Sequence, residues 1–134
     1  MFVKLRMTAH PFTVTPDNTL PEAMEVMATR GVRHLPVVSE GRVVGVLSHS
    51  DIAEAGPSKA TTFSSGEVNY LLSKLKVAKV MTRDPITISP DALLEEAAVA
   101  MRDNKVEMLP VVEGGRLVGI ITDSAILDAY IEIL

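Results

Sequence analysis

Two residues with chemistry to offer stand three positions apart, Ser48 and Asp51, at the end of the apolar run R-V-V-G-V-L-S-H-S-D-I from Arg42 to Ile52. A short β-branched strand runs straight into them, and the spacing predicts a helix that opens at the hydroxyl. Both polar groups then fall in the first helical turn, where backbone N–H groups lack intrahelical partners and negative charge is stabilised. A hydroxyl and a carboxylate in that place suit a ribose-phosphate site. The local sequence by itself favours a plain N-cap with a first-turn acid, and what weighs against that is that the chain repeats the pattern.

Other constellations lead nowhere. His49-Ser50-Asp51 places a hydrolase-like trio side by side, but adjacent helical residues point in different directions and no G-x-S-x-G elbow is present. No G-x-x-x-x-G-K-[ST] loop cradles a triphosphate. His10, His34 and His49 lack metal-ligand spacing, and with no cysteine a transition-metal site is not expected. The chain is therefore read as a non-enzyme with no catalytic residues and no obligatory cofactor.

Composition narrows the partners. Thirteen basic against seventeen acidic residues give a net charge of -4, and three Phe, two Tyr and no Trp leave no stacking platform, so nucleic acid is excluded. No apolar run reaches the roughly 20 residues of a membrane helix, and Met1 to Thr8 does not read as a signal segment. Absence of cysteine fits a reducing compartment, and a soluble cytoplasmic protein is expected.

The elements that must position Ser48 and Asp51 are written twice. Shifted by 74 residues, Met7 to Gly56 aligns without a gap on Met81 to Tyr130, with 22 identities in 50 positions. The matched pieces are M-T-x-x-P, T-x-x-P-D, L-P-V-V (Leu35 to Val38, Leu109 to Val112) and G-R-x-V-G (Gly41 to Gly45, Gly115 to Gly119). Each unit, too small to bury its own face well, is expected to pack on the other about a pseudo-two-fold axis.

Within a unit, Phe12 to Val14 and Ile86 to Ile88 are extended pieces stopped by Pro16 and Pro90. Leu20, Ala23, Met24 and Met27 then recur at helical spacing, as do Leu94, Ala97, Ala98 and Met101, and the methionines read as core filler. Thr19 with Glu22 is a capping box. Leu35 to Val38 and Val43 to Leu47 form a hairpin around Ser39 to Arg42, repeated around Gly114-Gly115, and a second helix follows each. The predicted fold class is α+β (α/β), two β-α-β-β-α repeats at 1–56 and 80–134 with a linker at 57–79. Gly56-Pro57 ends the preceding helix, and Ser64-x-x-Glu67 opens a linker helix whose apolar face, Val68, Leu71, Leu72 and Leu75, is expected to be buried.

With L-P-V-V, G-R-V-V-G and S-x-x-D in order, and echoed 74 residues on, nearly the whole chain resembles a tandem pair of CBS domains, a Bateman module. The linker from Gly56 to Val77 resembles that of acetoin-utilization-type CBS proteins, which commonly continue into an ACT domain; this chain stops at Leu134, as a standalone module or a fragment. The resemblance implies a regulatory module that binds an adenosine-containing ligand, AMP, ADP, ATP or S-adenosylmethionine, between repeats, and that often forms homodimers. It maps one site onto Arg33, His34, Ser48 and Asp51, with the backbone of Glu107 and Met108 beside the base. A carboxylate accepts from both ribose hydroxyls, and an arginine offers a planar fork to phosphate.

The second site departs from this pattern. Thr122 keeps the hydroxyl, but Ala125 replaces the aspartate, and Glu107 and Met108 replace Arg33 and His34. Asp123 is out of register to substitute, and with Glu107 it would repel phosphate. One competent site per chain is expected, with a second, weak one at Thr122. The alternative is a structural, dimerising or partner-binding module whose nucleotide sites are vestigial, and the missing aspartate at 125 favours it. The apolar tail Ile131 to Leu134 hints at a partner surface.

Overall fold

A computed structural model of the chain describes residues 1–55, 70 and 73–134. In chain order the described elements are a 3-10 turn Val3–Leu5, β1 Thr8–Ala9, α1 Leu20–Arg30, β2 His34–Ser39, β3 Arg42–Ser48, α2 His49–Ala55, α3 Val77–Val80, β4 Thr82–Arg83, α4 Leu94–Asn104, β5 Met108–Glu113, β6 Arg116–Thr122 and α5 Asp123–Ile133. The expected β-α-β-β-α order is present in both repeats. Its first extended piece contributes only one parallel bridge, Val14 with Val37 and Ile88 with Val111. The linker readings at Gly56-Pro57, Ser64, Glu67, Val68, Leu71 and Leu72 lie outside the described residues.

Local chemistry sets the boundaries. Thr19 and Glu22 make the full capping box: Glu22 N donates to Thr19 Oγ1 at 3.3 Å, and Thr19 N donates to Glu22 Oε1 at 3.2 Å. Gly31, in the left-handed region at φ 65°, ends α1. Each hairpin turns on two residues of positive φ, Glu40-Gly41 and Gly114-Gly115, the backbone of a type I′ loop whose twist matches its strands.

The compact units cut across the division at 56 and 80. The first-repeat unit holds Phe12–Glu40 and Val44–Asp84; the second-repeat unit holds Met1–Pro11, Gly41–Val43 and Pro85–Leu134. The leading segment of each repeat is thus built into the unit of the other. In the second-repeat unit β1 is the outer strand of the sheet β1-β6-β5, with Thr8 opposite Ile120 and Ala9 opposite Gly119. In the first-repeat unit β4 takes the same place in the sheet β2-β3-β4, with Gly45 opposite Arg83. Glycine is required at both contacts. A Cβ on Gly45 would stand 2.9 Å from the Thr82 carbonyl oxygen, and one on Gly119 would stand 2.8 Å from that of Thr8.

The two cores use one set of positions. Leu20, Ala23, Met27, Leu35, Val37 and Leu47 are buried in the first-repeat unit; Leu94, Ala97, Met101, Leu109, Val111 and Ile121 are their counterparts in the second. The exchange extends to the core itself, since Val77 is buried among the former and Val3, its equivalent by the 74-residue shift, among the latter. Met27, Met81, Met101 and Met108 are buried, as expected of core filler. Met24 is not: it flanks the line of Leu20, Ala23 and Met27 along α1 and is 46% exposed.

Candidate functional site

Strand β3 delivers Ser48 as its last residue and α2 begins at His49. Ser48 Oγ accepts from Asp51 N at 3.0 Å, and Asp51 Oδ2 accepts from Ser48 N at 2.9 Å. This is a reciprocal capping box in which aspartate plays the part of the usual glutamate. Capping and ligand binding are therefore not rival readings. A carboxylate offers about four acceptor positions and the cap occupies one, while the two bonds fix the orientation of both side chains. Both residues are half-buried, so they remain within reach of solvent.

The residues expected on the phosphate side sit nearby in the chain path. Arg33 is exposed in the loop between α1 and β2, and its carbonyl accepts from His49 N at 2.9 Å, which ties that loop to the first residue of α2. His34 follows, half-buried, as the first residue of β2. The first-repeat unit thus brings Arg33, His34, Ser48 and Asp51 onto one end of its sheet. A pocket of about 430 Å³ lies beside them, walled by Met24 and Met27 of α1, Val32 and Arg33 of the loop, and His49 and Ile52 of α2. Arg33 is the single expected site residue that lines it. The sequence reading missed this pocket, because nothing in a helical period says that a gap opens between Met24 and Ile52.

The second-repeat unit repeats the scaffold without the chemistry. Thr122 Oγ1 accepts from Ala125 N at 3.3 Å, a one-sided cap with no carboxylate to return the bond. Asp123 Oδ1 accepts from the next backbone N, that of Ser124, at 2.8 Å. The carbonyl of Glu107 accepts from Asp123 N at 3.0 Å, the counterpart of the tie between Arg33 and His49. Glu107 is exposed, and Met108, paired with Thr122 across β5 and β6, is buried. Among the described residues no cluster of His, Asp and Glu could hold a metal ion, and no helix is long and apolar enough to cross a membrane.

Comparison with known proteins agrees with this duplicated architecture. The family model described as CBS domain matches twice, over residues 3–58 and 77–132. A CBS domain-containing protein of Dictyostelium discoideum is 32% identical over all of this chain and 94% of its own length. An inosine-5′-monophosphate dehydrogenase of Methanocaldococcus jannaschii is 39% identical over 82% of this chain, which spans only 20% of that enzyme. Among solved structures, AcuB of Vibrio cholerae, assigned to acetoin utilization, superposes with a TM-score of 0.81 at 32% identity, covering 99% of this chain and 92% of its own. CBSX2 in complex with AMP gives 0.83 at 28% identity, covering 98% and 97%. The CBS domain pair of protein MJ0100, in complex with 5′-methylthioadenosine and S-adenosyl-L-methionine, gives 0.84 at 27% identity, covering 100% and 98%.

Proposed function

The chain belongs to the CBS domain family, and from that premise we propose that it is a regulatory module which senses an adenosine-containing ligand. The reciprocal Ser48–Asp51 box carries this reading. It holds a carboxylate, already oriented, at the start of α2, where it accepts from ribose hydroxyls without having to be ordered by the ligand. Arg33 and His34 serve the phosphate, and the backbone of Glu107 and Met108 completes the proposal beside the base. The bound AMP of CBSX2 and the bound methylthioadenosine and S-adenosylmethionine of the MJ0100 pair support the ligand class. Ligand acts by binding one arrangement of a homodimer better than another, since only differential affinity shifts such an equilibrium.

The test is isothermal titration of ligand-stripped protein with AMP, ADP, ATP and S-adenosylmethionine. Binding near one ligand per chain is expected, with Asp51→Ala weakening it by about 1.5 to 3 kcal/mol, roughly 10- to 150-fold. Two equivalent sites per chain would contradict the reading of Thr122 as weak. No binding by any of the four would favour a second reading, a partner-binding module with vestigial sites, to which the one-sided cap at Thr122 and Ala125 already points.

A further inference from the structure

We propose that Met7 is a modification site, at which a peroxide converts the thioether to a sulfoxide and thereby loosens β1 from its sheet. The repeated motif M-T-x-x-P sets a methionine immediately before β1 and another immediately before β4, Met7 and Met81. Each lays its sulfur against a glycine of the long strand alongside. A Cβ on Gly119 would meet Met7 Sδ at 2.7 Å, and one on Gly45 would meet Met81 Sδ at 2.6 Å. The sulfur thus occupies the space that a side chain on the glycine would need. The two methionines are alike in packing and unlike in access. Met81 is 8% exposed and belongs to the core of the first-repeat unit. Met7 is half-buried at the edge of the second core, within reach of a small oxidant in water. Met1 and Met24 are more exposed still, but oxidation there adds an oxygen that faces solvent.

The chemistry is a single oxygen transfer. A lone pair on Met7 Sδ attacks one oxygen of hydrogen peroxide, the O–O bond breaks, the sulfur keeps that oxygen and is oxidised, and the other oxygen leaves, reduced, as water. The product is polar where the reactant was apolar. If it stays in place, its oxygen lies beside the Thr8 carbonyl, which stands 2.8 Å from the same Cβ position on Gly119, so two acceptors meet in packed surroundings. If the side chain turns out to water instead, Gly119 is uncovered. In both cases β1 loses the contact that seats it, and β1 has little else, since only Thr8 and Ala9 pair with β6. The residues before it stay anchored: Val3 is fully buried, and Lys4 N donates to the Pro90 carbonyl at 3.0 Å. Loosening is therefore confined to residues 7–11, the last of the leading segment before the chain passes at Phe12 into the first-repeat unit. The proposed ligand site uses neither Met7 nor Met81, so this inference stands apart from it.

Because the chain has no cysteine, methionine is its chief target for peroxide, and the reaction is read directly. The folded chain is treated with hydrogen peroxide, and peptide mass spectrometry follows each methionine beside hydrogen exchange at Thr8 and Ala9. Met7 is expected to oxidise at least about tenfold faster than Met81, its internal control. Exchange at Thr8 and Ala9 is expected to rise in step with the fraction of Met7 sulfoxide, and to return when methionine sulfoxide reductase restores the thioether. In Met7→Leu the rise should vanish although Met1 and Met24 still oxidise. Where the leucine itself loosens β1, the wild-type correlation and its reversal by the reductase decide. Oxidation of Met7 no faster than of Met81 overturns the proposal, as does a Met7 sulfoxide that leaves exchange at Thr8 and Ala9 unchanged, or a Met7→Leu chain that responds to peroxide as the wild type does.

Discussion

Ser48 and Asp51 are one pair of side chains with a structural task and a proposed binding task. The cap requires a hydroxyl and a carboxylate at the start of α2, and the same requirement orients the acid that the proposed ligand site uses. Asp51→Ala therefore tests two things at once. Loss of the cap is expected to lower unfolding free energy by about 0.5 to 2 kcal/mol, read by urea denaturation without ligand, separately from the loss of affinity read by calorimetry. Glu22 is a purely structural counterpart. The backbone N–H of Thr19, then the hydroxyl of Thr19 and the amide of Asn18, bond to its carboxylate and hold its pKa below the ordinary value. Glu132 is lowered likewise by its bond to Arg6. A carboxyl depressed by folding adds stability above its unfolded pKa, about 4.3, and that contribution is lost as pH falls through the folded value. Stability is thus expected to drop below about pH 4.3, and Glu22→Gln to flatten this acid limb in thermal scans while leaving its slope above about pH 6 unchanged.

At the scale of elements, the two-residue strands β1 and β4 carry more than their length suggests. Each docks on the middle of a longer strand at a glycine, where a methyl group would collide with the backbone carbonyl of Thr8 or Thr82. The atom nearest that methyl is in each case a methionine sulfur, Met81 Sδ at 2.6 Å for Gly45 and Met7 Sδ at 2.7 Å for Gly119, which can swing aside, but the carbonyl is backbone, so the strand itself must retreat. Gly119→Ala is expected to cost about 1 to 3 kcal/mol, the usual range for overpacking, and to raise hydrogen exchange at Thr8 and Ala9. If exchange there is unchanged, the close approach of β1 to β6 is not what fixes the glycine. The helices follow the same economy: α1 ends on Gly31, and α4 ends on Lys105 in the same left-handed conformation, φ 54°, which a side chain adopts at some cost.

At the scale of the molecule, one core is used twice beneath two different surfaces. Matching positions bury Leu20 and Leu94, Leu35 and Leu109, Val37 and Val111, while the rims diverge to Arg33 and Glu107, His49 and Asp123, Asp51 and Ala125. Duplication keeps the packing and leaves the surfaces to diverge, with the candidate ligand-site side chains on the first-repeat unit and exposed apolar side chains along α5 of the second. Exchange of the leading segments composes each unit in an order that the chain direction does not suggest. Val3, fully buried, belongs to the core of the second-repeat unit, so Val3→Ala is expected to cost about 2 kcal/mol. The loss of hydrogen-exchange protection should concentrate in residues 85–134, whereas Val77→Ala should affect the first-repeat unit. Protection lost around α1 in Val3→Ala would reverse that assignment.

What could be read without coordinates were features whose signal is local or periodic. The duplication is visible as identity at a fixed shift; the helices show in the spacing of Leu20, Ala23 and Met27; the hairpins show in Glu40-Gly41 and Gly114-Gly115; and the caps show in Thr19 with Glu22 and Ser48 with Asp51. Each is decided by residues within about one turn or one hairpin of each other, where backbone hydrogen bonding and φ preference act directly. The sequence by itself thus determined the order of elements, the repeated core and the positions of the candidate site residues. Only the tertiary structure decided that residues 1–11 build the second-repeat unit, that Met24 stands on a pocket wall, and that Leu127, Tyr130 and Ile131 share one exposed face. Those depend on which distant surfaces meet, and a two-residue strand or a gap between helices leaves no periodic trace in the chain that forms it.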